Sequence, residues 1–154
     1  MRIRLFNRKD LEEVSNLIVD SYKKEDKDRR WSNEMIEKYI LLHLRLNKDL
    51  CFVATEGDRI IGAGLCILKP QYNQLVMDSH ILVVHKDFRR QGVGSKILRK
   101  MVEKANKKYE IEQIEVSIFT LTNFPISWYE SLGFREKKNH TLVVANVNQI
   151  TRGI

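Results

Sequence analysis

Apolar and polar residues alternate at the start of the chain, where Ile3 and Leu5 are interleaved with Arg2 and Arg4, a period of two that predicts a short opening strand. The period then changes. Leu11, Val14, Leu17, Ile18 and Tyr22 recur at helical spacing behind Asn7 or Asp10, either of which can cap the helix. A charged stretch from Lys23 to Arg30 interrupts the pattern, and Ser32 can then cap a second helix carrying Met35, Ile36, Tyr39, Ile40, Leu42, His43 and Leu46. The runs Leu50 to Thr55 and Arg59 to Leu68 flank Glu56-Gly57-Asp58 and predict a hairpin. With a two-residue turn there, Cys51 and Cys66 would lie diagonally on one face. After a loop from Pro70 to Leu75, the segment Val76 to Val84 ends in Ile81-Leu82-Val83-Val84, an apolar run suited to a strand covered on both sides.

Val93, Ile97, Leu98, Met101, Val102 and Ala105 form one stripe of the next helix, with Lys96, Arg99, Lys100, Lys104 and Lys107 on its other faces. A strand around Ile114, Val116 and Ile118 follows. Pro125 and Gly133 bracket a short helix, and Thr141 to Val147 is expected to form a last strand. The order is β-α-α-β-β-β-α-β-α-β-β, an α/β (α+β) class chain, with no repeat or linker to divide residues 1–154 into more than a single domain.

Composition narrows the class without changing the elements. The chain has 154 residues, 43% hydrophobic and 31% charged, with 7 Gly and 2 Pro, as in a folded globule with one core. Two cysteines are too few for a structural metal site or a disulfide framework, so no metal is expected and a reduced setting is. The first residues lack the apolar core of a secretory signal, and no apolar run spans a bilayer, so the expectation is a cytoplasmic protein with no membrane partner. A formal net charge of +7 favours an anionic partner. Between Lys86 and Glu110 nine basic residues face three acidic ones, which concentrates +6 of that excess in one loop and helix. Nucleic acid would require a spread basic face with interleaved aromatics, and the helix carries none before Tyr109.

The loop itself is the informative segment. In Val84-His85-Lys86-Asp87-Phe88-Arg89-Arg90-Gln91-Gly92-Val93-Gly94-Ser95, two glycines stand between a buried strand and an amphipathic helix. Such a junction brings backbone close to a ligand, points free N–H groups at one spot and adds the helix dipole, as a diphosphate requires. It is neither a P-loop nor a dinucleotide fingerprint, since no Gly-Lys-Ser/Thr follows and the glycine spacing differs.

Arg89-Arg90-Gln91-Gly92-Val93-Gly94 resembles the R/Q-x-x-G-x-G/A signature of the GCN5-related N-acetyltransferase (GNAT) superfamily. About forty residues on, Trp128-Tyr129-Glu130-Ser131-Leu132-Gly133-Phe134 is similar to that family's Y-E-x-x-G-F segment. The order of elements matches the family's as well, so the resemblance covers essentially the whole chain. It implies a mixed, mostly antiparallel sheet flanked by helices, and acetyl-CoA bound where the strand ending at Val84 and the strand from Gln113 to Phe119 splay apart. Backbone groups of Leu82, Val83 and Val84 would pair with the pantetheine arm, and a backbone N–H near Leu82 would polarise the thioester. Arg89, Arg90, Gln91, Gly92, Val93, Gly94 and Ser95 would hold the pyrophosphate.

The resemblance also assigns chemistry. Tyr129 matches the family's general acid, with anchoring of its helix as the alternative. Many relatives carry a Glu on the strand before the loop; here Asp78 and His80 occupy it, two apart and so expected on one face with Leu82, either as base and its orienter or as a polar strand start. His43 and His85 read as structural or solvated. Two positions depart from the pattern: Lys86 stands where Pro is usual, and Thr122 takes the register of the pantetheine-binding Asn, with Asn123 one residue later. Acceptor-side residues are expected from Tyr22, the segment from Lys23 to Trp31, and the loop with Tyr72. The implied reaction moves an acetyl group to a small-molecule or protein amine. A weak acyl-CoA-binding module is the alternative, nucleic acid is disfavoured, and a homodimer is left open.

Overall fold

The computed structural model describes residues 1–22, 31–118, 125–138 and 147, and of Ser79 and His80 the backbone alone. The chain forms two compact units, 1–117 and 118–154. In the first, β1 (Arg2–Leu5), α1 (Leu11–Tyr22), α2 (Asn33–Asn47), β2 (Phe52–Glu56), β3 (Arg59–Gln71), β4 (Gln74–Val84), α3 (Val93–Tyr109) and β5 (Gln113–Glu115) follow in order. The strands make one sheet in sequence order, antiparallel except that β4 and β5 run parallel. The second unit contains α4 (Ile126–Ser131). Elsewhere, the strand expected at Thr141–Val147 falls, apart from Val147, outside the described residues, as does the segment Lys23–Arg30.

Both expected caps of the first helix act together. The Asn7 side chain accepts from Lys9 N–H at 3.1 Å while Asp10 Oδ2 accepts from Asn7 N–H at 2.7 Å, a reciprocal box around a single turn of 3-10 helix that leads into α1. Arg4 closes the box from the neighbouring strand, donating to both Asp10 oxygens at 2.6 and 2.8 Å. Ser32 caps α2 through Met35 N–H at 3.2 Å.

The sheet is covered on both faces. Val14 and Ile18 of α1 and Ile36 and Ile40 of α2 bury one face with Val53, Ala63, Leu65, Ile81 and Val83. His43 is buried on the apolar side of α2, its Nδ1 2.8 Å from the Tyr39 carbonyl oxygen. On the opposite face α3 lies against Gly62 and Gly64, so close that a Cβ at Gly64 would stand 2.4 Å from Met101 Sδ and 2.6 Å from Ile97 Cγ2. Alternation along β3 thus sends small residues to α3 and larger ones to α1 and α2.

Two irregularities overturn face assignments made from plain alternation. The β2–β3 hairpin closes on Gly57-Asp58, but a bulge between Ala54 and Thr55 puts Phe52 opposite Gly64, so Cys66 falls on the Phe52 and Gly64 side and not with Cys51. In the β3–β4 pair the register passes from Ile81 opposite Leu65 to Ser79 opposite Cys66, leaving His80 as the extra residue. Asp78, opposite Ile67, therefore shares the face of Ile81 and Val83, whereas Leu82, opposite Gly64, faces α3. The expected single face for Asp78, His80 and Leu82 is lost at the bulge. The supposed loop from Pro70 to Leu75 is also shorter: β3 and β4 run to Gln71 and from Gln74, and the turn is Tyr72-Asn73 with Tyr72 at φ 56°.

Candidate active site

Residues 85–95 fold into a cradle before α3. His85 caps a turn of 3-10 helix, Lys86–Phe88, its Nδ1 accepting from Asp87 N–H at 3.3 Å, and its Nε2 lies 2.7 Å from Arg59 Nη2. The loop is tied from within: Arg89 Nε donates to the Val84 carbonyl at 3.1 Å and Gln91 Nε2 to the Asp87 carbonyl at 2.9 Å. Arg89 is thus folded back along the loop as well as exposed at its rim. Arg90 (φ 61°) and Gly92 (φ 75°) both adopt the left-handed conformation, which costs a non-glycine residue such as Arg90 about 1–2 kcal/mol. These turns bend the chain so that α3 begins abruptly.

That beginning has no side-chain cap. Gly92 occupies the N-cap position, and the first helical bond is Lys96 N–H to Gly92 carbonyl at 3.0 Å. The N–H groups of Val93, Gly94 and Ser95 therefore point out of the helix end, where the dipole adds partial positive charge. Val93 is buried and seats this turn against Gly62, whose added Cβ would lie 3.2 Å from Val93 Cγ1. Lys86, Arg89, Arg90 and Lys96 stand exposed around it. The arrangement suits a diphosphate: converging backbone donors on a packed seat, with exposed cations at the rim.

Beside the cradle, β4 and β5 part. Their pairing consists of Val76 with Gln113, Met77 with Ile114 and Asp78 with Glu115, after which β4 continues to Val84 with no partner on that side among the described residues. Backbone of Leu82, Val83 and Val84 thus borders an unpaired edge, while their side chains pack into the molecule, Val83 buried and the other two half-buried. The strand foreseen from Gln113 to Phe119 is limited to Gln113–Glu115, and Phe119 lies outside the described residues.

At the point of parting stands a cluster that the motifs did not indicate. Lys69 Nζ lies 2.7 Å from Asp78 Oδ2 and 2.9 Å from Glu115 Oε2. Gln113 donates to Glu115 Oε1 at 2.9 Å and Gln74 to Gln113 Oε1 at 3.1 Å. Hydrogen bonds to the two carboxylates raise the Lys69 ammonium above its ordinary range. Tyr39 of α2 is pushed up to about 12, mainly by burial and then by the negative charge of Asp78. Asp78 thus belongs to the side of α1 and α2, as the bulge requires. Lys69 lies diagonally from Asp78 on the same face, a relation that becomes readable only once the hairpin register is known.

In the second unit Tyr129 is buried, its ring edge-on to Trp128 at 4.7 Å and to Phe134 at 5.1 Å. Its carbonyl accepts from Phe134 N–H at 3.1 Å, and Gly133 (φ 96°) lets the chain leave α4 at that point. The side chain of His80, and Thr122 and Asn123 entirely, lie outside the described residues. Cys51 and Cys66 are buried free thiols whose ionisation is pushed up by burial, Cys51 to about 12.

Known proteins share both the sequence pattern and the fold. Residues 47–136 match the family described as Acetyltransferase (GNAT) domain, a stretch that includes the cradle and the Tyr129 segment. The N-alpha-acetyltransferase 30 of Dictyostelium discoideum is 36% identical over 111 residues, which cover 68% of this chain and 58% of that protein. An uncharacterized N-acetyltransferase of Methanocaldococcus jannaschii is 25% identical over 139 residues, 88% of this chain and 61% of that one. The chain therefore spans about three fifths of the length of these relatives. Among solved structures, a transcriptional regulator from Bacillus halodurans superposes with a TM-score of 0.73 at 22% identity, over 94% of this chain and 98% of that one. An acetyltransferase of Trypanosoma brucei does so at 0.67 and 16%, over 94% and 99%, a likeness of fold. With an uncapped α3 terminus beside a β4 edge that has no partner among the described residues, and with more than half its length matching the family, this chain belongs to the GNAT acetyltransferases.

Proposed function

We propose that this protein transfers the acetyl group of acetyl-CoA to a primary amine. The observation that carries the reading is the uncapped N-terminus of α3, with the N–H groups of Val93, Gly94 and Ser95 beside the edge of residues 79–84, which has no strand partner on that side among the described residues. The cradle fits the pyrophosphate, and Leu82, Val83 and Val84 fit the pantetheine amides as an added strand would. A backbone N–H near Leu82 serves the thioester carbonyl, where a fixed donor counts most as the oxygen gains charge.

Transfer requires a neutral amine and a proton for the departing thiolate. Tyr129 takes the second role from its match to the family pattern. A phenol of pKa about 10 donating to a thiolate of about 8.5 works uphill by about 2 kcal/mol, so Tyr129 acts as a strong hydrogen-bond donor or shares the proton with a neighbour. Lys69 neutralises part of the Asp78 charge, which weakens Asp78 as a base and leaves the base role to His80. An α-amine of pKa about 8 needs far less help from a base than a lysine of about 10.4. That difference, and the name of the Dictyostelium relative, make a protein α-amino terminus the first acceptor to test, ahead of lysine side chains and small amines.

The test is release of free CoA thiol from acetyl-CoA against a panel of amino-terminal peptides, lysine peptides and polyamines. Acceptor-dependent release that falls with Tyr129→Phe supports the reading. No release with any amine, together with normal acetyl-CoA binding, favours a binding module instead.

A further inference from the structure

The point at which β4 and β5 separate coincides with an ion-paired cluster. Asp78 and Glu115 are the last register partners of the parallel pair, and Lys69 of β3 reaches both, at 2.7 and 2.9 Å. Like charges directly opposite one another on adjacent strands destabilise a sheet. These two are adjacent, partly buried (side chains 13% and 22% exposed), and share one ammonium. Resting on the acetyl-CoA reading above, we propose that Lys69 is a positioning residue: it holds Asp78 and Glu115 together and so sets where the two strands fork and where the pantetheine arm enters.

The β4–β5 ladder has three register pairs among the described residues. Such a short parallel ladder contributes little on its own, and its exposed end would fray without something to hold it. Beyond Asp78 comes the His80 bulge, which shifts the register on the β3 side before pairing resumes at Ile81 opposite Leu65, so the fork is bounded by a bulge ahead and an ion pair behind. Gln113 supports Glu115 from within β5, and Gln74 supports Gln113 from β4, so the cluster extends back along the seam. Removing the ammonium takes away the cation that the two carboxylates share across the last rung, and their mutual repulsion there grows. The fork then opens toward Val76 and Gln113, and the edge offered by Leu82, Val83 and Val84 loses its fixed start.

Restoring or rebalancing charge at the fork should rescue binding in a way that a change of packing alone would not. Four proteins are compared: wild type, Lys69→Met, Lys69→Arg, and Lys69→Met with Glu115→Gln. Acetyl-CoA affinity is read by calorimetry and the seam by amide hydrogen exchange of segments 74–84 and 111–118. Lys69→Met is expected to exchange faster at Gln113–Glu115 and to bind acetyl-CoA about tenfold more weakly, as a broken partly buried ion pair implies. Lys69→Arg and the double variant should recover both, the first by restoring the cation and the second by removing the repulsion. The proposal is overturned if Lys69→Met exchanges and binds as wild type does, or if the double variant stays as impaired as the single one. If wild type binds no acetyl-CoA but Lys69→Met exchanges faster and the double variant recovers, the fork assignment stands and the acetyl-CoA reading falls.

Discussion

Replacing Gly62 with alanine tests whether the seat of α3 governs the cradle. A Cβ there would stand 2.9 Å from Ile97 Cδ1, 3.0 Å from the Val83 carbonyl oxygen and 3.2 Å from Val93 Cγ1. Ordinary contacts lie near 3.5 to 4.0 Å, so three atoms must yield, and one of them belongs to the backbone. At Gly64 the overlap is deeper, 2.4 Å to Met101 Sδ and 2.6 Å to Ile97 Cγ2, but the thioether is adaptable and sits further along the helix. Overpacking of this kind costs about 1–3 kcal/mol, a fall in melting temperature of about 3–10 °C for a chain of this size. The two variants should differ in binding. Gly62→Ala presses on Val93, the first helical residue, and is expected to weaken acetyl-CoA about tenfold, because hydrogen bonds lose strength steeply with distance and angle. Gly64→Ala should stay within about threefold. Thermal melts with and without acetyl-CoA read both effects. Equal loss of affinity in the two variants, or none in Gly62→Ala despite a lower melting temperature, would refute the link between seat and cradle.

Other consequences follow from single features. Gly92→Ala meets no atom within 4 Å of its Cβ, so its cost is conformational, about 1–2 kcal/mol for a left-handed alanine, and acetyl-CoA affinity should fall with it in a calorimetric titration. Burial opposes ionisation of Asp10, yet hydrogen bonds from Arg4 and Asn7 N–H hold its carboxyl below the ordinary 3.8. Its contribution to stability is thus complete above about pH 4 and is lost as pH falls through the lower folded value. Arg4→Met should reduce stability at neutral pH and flatten acid unfolding followed by circular dichroism. With both thiols pushed up by burial, neither Cys51 nor Cys66 should react with a disulfide reagent at pH 8 in native protein, and both should after denaturation. The exposed cations around the cradle should make acetyl-CoA affinity fall as salt rises, measured by titration at increasing ionic strength.

Much of the fold could be read from local signals because each element carries its own. Asn7, Asp10 and Ser32 announce helix starts by chemistry that acts within three residues, and the α3 stripe from Val93 to Ala105 is uninterrupted. The cradle was legible for the same reason, since Gly92 and the arginines are neighbours in sequence. Face assignments across the two bulges were not. The extra residue at His80 moves Asp78 away from the Leu82 face, and nothing local marks it, because the bulge is a property of pairing between β3 and β4. Lys69 was invisible for a related reason: its partners stand 9 and 46 positions away, and only the register brings the three strands together. The family motifs lie in short local stretches of sequence, whereas the cluster of Lys69, Asp78 and Glu115 is built from such long-range pairs.

In the proposed function, backbone N–H groups at the start of α3 hold the acetyl-CoA pyrophosphate. Amide chemical shifts recorded during an acetyl-CoA titration test it most directly. Gly92, Val93, Gly94 and Ser95 are expected to show the largest changes, saturating together, with Leu82, Val83 and Val84 moving in step. Saturable binding that leaves those four amides unmoved would contradict it.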